Sequence, residues 1–438
     1  MATIKKSPGP GLRAAVVALL LAGAGAAGAT VEGLSGTSFT LTARQDIVST
    51  ADGNSHYAWG YANGTGRMQY PGPTLIVQQG ATITITLQNQ LPVPVSIVFP
   101  GQQGVAASGG VAGTLTQEAQ PGGSAVTYSF VASQAGTYLY HSGTNPALQV
   151  DMGLVGALIV RPAAAGQAYP QPGTRFDREY LFLLSEMDPA IHARVYDQVM
   201  AGLPVAVDTT AFRPTLWFIN GRNAVDTMQD PGVPWLPTQP YGSLPRMHPG
   251  ERLLMRMIGA GRDLHPFHHH GNHALAIARD GRVLSTNPAD PTLAPDLATA
   301  DFTVNSVPGQ TMDLIFEWTG AELGWDVYGT ADVHPHGCSP APGTDFDAST
   351  HEYCPDHYKS IPVIIPGSLD LSFGPYYSGS PYLGSFGTLP PGTPMLNEQA
   401  GHFHMWHSHN EKEVTTDDIF PGGMMTMLVI EAPWVTIP

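Results

Sequence analysis

Residues 72–92 read GPTLIVQQGATITITLQNQLP. Ile83, Ile85 and Leu87 alternate with Thr84, Thr86 and Gln88, the period of two that sends successive side chains to opposite faces of a half-buried strand. The runs AVTYSFVASQAGTYLYH at 125–141 and GLVGALIVRP at 153–162 follow, separated by turn-forming residues. Short strands at this spacing predict one β-sandwich over roughly 35–165. The Pro/Gly/Ala-rich stretch RPAAAGQAYPQPG at 161–173 reads as a linker. Beyond it EYLFLLSEMD, TLWFINGRN, ERLLMRMIGAG and TMDLIFEWTG are again strand-like, and in the last of these Met312, Leu314, Phe316 and Trp318 share one face. From about 331 to 400 periodicity fails and Gly, Pro, Ser and Tyr dominate, so this part reads as an insertion, and MMTMLVIEAP after it as a closing strand. The expectation is an all-β chain of two sandwich domains, 30–165 and 166–438, the second carrying a loop-rich insertion.

Composition agrees with that class. Only 12% of residues are charged, against 50 glycines and 40 prolines, which suits a turn-rich β protein rather than a helical bundle. The N-terminus places Lys5, Lys6 and Arg13 ahead of a short apolar run and a small-residue A-x-A ending at Ala29, the pattern of a signal peptide at 1–29. The run is too short for a membrane span, and no later stretch is long enough, so an exported protein, periplasmic or extracellular, is expected. The formal net charge is −16, and the leader holds three basic and no acidic residues, so without it the charge is −19. A nucleic-acid partner is excluded on that balance, because phosphate binding needs a basic face. Cys338 and Cys354 are the two cysteines. In an oxidising compartment a disulfide is the default reading, with metal ligation among His334, His336, His351 and His357 as the alternative.

Thirteen of the 17 histidines lie from His265 onward, and nine of these fall in HPFHHHGNH at 265–273 and HFHMWHSHN at 402–410. On a strand, His268 with His270, and His407 with His409, present paired imidazoles on one side. Imidazole suits copper, zinc, iron and nickel, so two such pairs brought together make a multi-histidine metal site. Surface histidines or a nonspecific metal-scavenging tract are the alternative. His56, His192 and His248 read as ordinary structural or surface histidines.

These motifs resemble those of the multicopper oxidase (laccase-like) family of cupredoxin domains. HPFHHHG is similar to that family's H-P-x-H-x-H-G, and WHSHNEKEV followed by GGMM stands where the family has H-C-H-x-x-x-H and a downstream Met. The stretch from Pro71, and GTYLYHSG followed by GLVGALIV, resemble the opening and end of the family's first domain. The resemblance covers most of 70–160 and 250–430. It implies two cupredoxin-like Greek-key sandwiches and copper as cofactor, with His268 as a type 2 ligand, His141, His270, His407 and His409 as type 3 ligands, and His265 as a type 1 ligand.

The departures carry equal weight. Val98 and Pro100 replace two ligands of the first motif, and Gly143 replaces the second histidine of H-S-H. Ser408 stands at the type 1 cysteine and Glu413 at its companion histidine. A blue centre needs a thiolate, so none is expected. The oxygen-side cluster is thinned, holding one or two copper ions rather than four, with His269, His273, His402, His404 or Glu413 as substitute ligands. The implied activity is oxidation of a small reductant, with dioxygen as acceptor, at a degenerate copper set. The alternatives are a non-catalytic copper-binding protein for buffering, resistance or delivery, and a structural sandwich whose histidines are residual. In the family the oxygen-side coppers lie between first-domain and last-domain faces. With two domains they meet within one chain or between copies, and two-domain relatives commonly use a ring-shaped homotrimer.

Overall fold

In strand Thr82–Asn89 the side chains of Ile83, Ile85, Leu87 and Asn89 are buried, and the alternate residues reach the surface to varying degrees, as the period of two requires. The computed structural model describes residues 31–329, 335–359, the backbone of 379–381, and 401–437. The expected signal peptide at 1–29, His334 and most of the expected insertion at 331–400 lie outside the described residues. Among those described, no helix is long and apolar enough to cross a membrane.

Strand Thr82–Asn89 sits inside a six-stranded sheet, between Ser38–Ser49 on one side and Val126–Val131 on the other. A four-stranded sheet containing Gly72–Gln78, Val155–Arg161 and Gly136–His141 faces it. Trp59, Tyr61, Tyr128 and Tyr140 fill the space between them. The second sandwich repeats the plan. A seven-stranded sheet is built on Arg178–Met187, Arg252–Gly259, Thr311–Glu317 and Ala274–Arg279, and a six-stranded sheet on Met425–Ile430, His402–Ser408, His265–His269 and Thr303–Ser306. Phe182, Phe267, Phe316 and Trp406 pack between these sheets. The architecture is all-β, as expected.

Three features depart from the sequence reading. Strand Thr311–Glu317 is buried on both faces except at its last residue. Met312, Leu314 and Phe316 face the second core, while Ile315 packs with Ala168 and Tyr169, and Asp313 accepts hydrogen bonds from Thr137 Oγ1 and Tyr169 Oη, both at 2.5 Å. Ala168 and Tyr169, inside the stretch 161–173 that reads as a linker, are therefore packed into the junction of the two sandwiches, while residues 163–166 stay exposed. The buried charge of Asp313 is matched by Arg256, which also pairs with Glu179 at 2.8 Å. The third departure is a helix, Pro189–Met200, which period-two reasoning passed over. Asp188 caps it by accepting the Ala190 and Ile191 N–H groups, and Pro189 occupies the first turn, where its missing N–H costs nothing. Its buried face carries Ile191, His192 and Val195. His192 spans from the carbonyl of Tyr57 to that of Asp151, a structural role as expected.

Candidate metal centre

The two histidine clusters lie on neighbouring antiparallel strands of the six-stranded sheet, where the register sets His268 opposite His407. Alternation then divides the clusters by face. On His402–Ser408 the side chains of His402, His404, Trp406 and Ser408 are buried and His407 looks outward. Gly271 ends the first cluster with φ of 107°, and a Cβ there would meet the His404 ring at 3.0 Å, so glycine is what lets the chain turn beside that ring.

On the outward face the rings of His270, His407 and His409 lie 4.7, 5.5 and 4.9 Å from that of His268. The Nε2 atoms of His270 and His407 are 3.3 Å apart, about the spacing of two donors that share one ion at roughly 2.0 Å. One nitrogen each from His268, His270 and His407 lies within 4.8 Å of the others. Their orientation is held from behind. His407 donates its Nδ1–H to the carbonyl of Ser408 at 2.7 Å, which leaves Nε2 with a lone pair directed outward. Thr303 Oγ1 stands 2.6 Å from His268 Nδ1. Burial and then the neighbouring histidines push the His268 imidazole down to about 3, and burial lowers that of His407. Neutral imidazoles in this arrangement are competent ligands near neutral pH.

His141 ends strand Gly136–His141 in the first sandwich and repeats the His407 device, its Nδ1–H donating to the Ser142 carbonyl at 2.9 Å. Burial lowers its pKa too. Its described contacts stay within its own sandwich, where its backbone pairs with that of Val98, and none reaches the His268 group. Val98 also explains the neighbouring loss: a Cβ on Gly143 would meet Val98 Cγ1 at 2.7 Å, so a histidine there requires Val98 to move.

The remaining candidates are placed elsewhere. His269 is fully buried, its Nε2 accepts the Ala274 N–H at 3.1 Å, and its ring meets Phe316 and Trp406 edge-on. His273 is exposed against Phe302. His402 and His404 are buried and stacked on each other, both beside Trp318.

His265, Ser408 and Glu413, the three positions matched to type 1 ligands, do come together, and hydrogen bonds join them. Glu413 Oε2 accepts from His265 Nδ1 at 2.9 Å and from the Ser408 hydroxyl at 2.5 Å, and His265 Nε2 donates to Glu186 Oε2 at 3.0 Å. Burial pulls the His265 pKa down, but the hydrogen bonds and charges of Glu186 and Glu413 overcome it and raise the ring to about 9. In this arrangement both His265 nitrogens are engaged by carboxylates, which sets the ring apart from the His268 group. Glu186 went unnoticed in the sequence. The available signal was an acidic residue inside an apolar strand, where an unpaired charge is costly. Thr303 gave none, because its role arises from pairing across the sheet.

Cys338 and Cys354 form a disulfide, which removes both from metal ligation.

A family model described as multicopper oxidase matches residues 43–165. Multicopper oxidase MCE of Talaromyces pinophilus is 42% identical over 96 residues, 22% of this chain and 15% of that protein. A copper resistance protein A homolog of Pseudomonas syringae pv. tomato is 33% identical over 164 residues, 37% of this chain and 25% of that protein. The matched part thus spans a quarter or less of either relative. A solved blue copper oxidase from Nitrosomonas europaea is similar in fold, with a TM-score of 0.53 and 19% identity over 90% of this chain and 86% of that one.

Proposed function

We propose that this chain, a cupredoxin protein of the multicopper oxidase family, is an exported copper protein that holds one or two copper ions at His268, His270 and His407, with His409 alongside, and oxidises a small reductant with dioxygen. The observation that carries the reading is the convergence of three imidazoles, with the His270 and His407 Nε2 atoms 3.3 Å apart and the second nitrogens of His268 and His407 engaged from behind. Bound copper supplies one-electron redox chemistry at an imidazole-ligated centre. The chain's own part is to keep His268 and His407 deprotonated by burial, to orient the His268 ring through Thr303, to fix the His407 tautomer through the Ser408 carbonyl, and to present them on an outward face. His141, with the same tautomer lock, is the complementary donor. Because it does not meet the cluster within the described chain, a neighbouring copy in a closed ring, a homotrimer, would bring it there.

A second reading, copper storage or delivery without turnover, is favoured by the His265–Glu413–Ser408 group. That group has no thiolate and leaves no metal-based entry for electrons from a reductant. Metal analysis, electron paramagnetic resonance and copper-dependent oxygen uptake with phenolic or metal-ion donors separate the two. Turnover abolished in His407→Ala supports the oxidase, and stoichiometric copper without oxygen uptake supports storage. A copper content unchanged in His407→Ala refutes both.

A further inference from the structure

Asp326 and the segment 335–359 carry a second cluster, remote in sequence from the copper histidines. Asp326 Oδ2 lies 3.3 Å from His336 Nε2 and 3.5 Å from His357 Nδ1. Glu352 completes the ring, Oε2 at 3.4 Å from His336 Nε2 and Oε1 at 2.6 Å from His357 Nδ1. One donor atom from each of the four lies within 4.8 Å of the others. We propose that Asp326, His336, Glu352 and His357 form a closed, four-ligand site for a divalent ion of the zinc class, which together with the Cys338–Cys354 disulfide fastens this segment to the second sandwich.

Three of the four nitrogen–oxygen contacts, the two of Asp326 and that of Glu352 Oε2, match the geometry. Four donors at roughly 2.0–2.1 Å from a tetrahedral ion stand about 3.3 Å apart, whereas in a square plane adjacent donors would be about 2.9 Å apart. The donor set points the same way. Two imidazoles and two carboxylates suit zinc, while calcium and magnesium take six or more oxygens, commonly including water. Charge supports it too. Asp326 and Glu352 are almost fully buried, and among the described residues their ion pairs are with these two histidines and with no lysine or arginine. A dication neutralises two buried carboxylates that otherwise carry a desolvation cost. Glu352 Oε2 is buried and faces His336 Nε2 at 3.4 Å.

The cluster is also braced in the manner of a metal site. Asp326 Oδ1 accepts the Tyr328 N–H at 2.8 Å and Oδ2 the Tyr358 N–H at 2.9 Å, which fixes the carboxylate plane. The disulfide joins Cys338, two residues after His336, to Cys354, two residues after Glu352. It thereby holds two of the ligands in register. The cysteines themselves are consumed by that bond, and the ligand field passes to the histidines and acids around them.

The test uses the full chain carrying His268→Ala and His407→Ala, stripped with chelator and then titrated with zinc in competition with a chromophoric chelator. One equivalent per chain is expected. Adding His336→Ala or, separately, Glu352→Gln should weaken it on the order of 100-fold or more. Cobalt in place of zinc gives a readout that needs no variant of the site: a four-coordinate ion absorbs strongly in the visible and a six-coordinate one weakly. Strong absorption supports the site. Weak cobalt absorption, no zinc uptake by the His268→Ala/His407→Ala chain, or a zinc affinity left unchanged by adding His336→Ala or Glu352→Gln would each overturn it.

Discussion

The His265 imidazolium offers a direct measurement. It is fully buried, hydrogen-bonded to Glu186 and Glu413, and its pKa stands at about 9 against an ordinary 6.5. At 1.36 kcal/mol per pKa unit, that displacement corresponds to about 3 kcal/mol of folding free energy. The folded pKa is above the unfolded one, so the contribution is complete below pH 6.5 and is lost as pH rises through about 9. The perturbation is His265→Gln, which keeps a hydrogen-bond donor and removes the titration. Denaturant unfolding of copper-free protein from pH 6.5 to 9.5 should show the wild type losing about 3 kcal/mol more than the variant across that window. His248, raised beside Glu251, titrates in both proteins and cancels in the difference. The buried histidines with lowered pKa, such as His192 and His402, act below pH 6.5, where their contribution is lost as pH falls, and so lie outside the window. Parallel wild-type and variant curves, or an NMR titration of His265 near pH 6.5, would refute the carboxylate-clamped imidazolium.

Copper-loaded protein should show no intense red-end absorption, because Ser408 provides no thiolate, and the visible spectrum checks this. His268→Ala or His407→Ala should remove most bound copper by elemental analysis, and His141→Ala less. Equal loss in all three would mean that the first sandwich contributes a larger share of the site. Thr303→Val should keep the fold and weaken copper binding by about 10- to 100-fold, by freeing the ring that the hydroxyl orients. Reducing the disulfide opens a loop of sequence separation 16 and should lower stability by about 3 kcal/mol on the chain-entropy model, measured by denaturation with and without reductant.

Much of this protein is legible locally. The alternation of Ile83, Ile85 and Leu87 named a half-buried strand, and the same rule paired His268 with His270 and His407 with His409, whose rings lie 4.7 and 5.6 Å apart. Both follow from the pleat of a single strand, which needs no partner to be known. The absence of a type 1 thiolate is likewise a fact of chain order, since Ser408 sits between His407 and His409 whatever the fold. Other features exist only through register between distant segments. His265 reaches Glu186 from 79 residues away and Glu413 from 148, and no local pattern predicts that pairing. Burial of both faces of Thr311–Glu317 depends on the first sandwich docking against Asp313 and Ile315. Asp326 meets His336, Glu352 and His357 only after a disulfide and several loops close around them. Side-chain direction along a strand is set by neighbouring peptide units, whereas the company a buried charge keeps is set by which strands pair and how sheets stack, so the chain alone named the candidate ligands and the tertiary structure decided which of them come together.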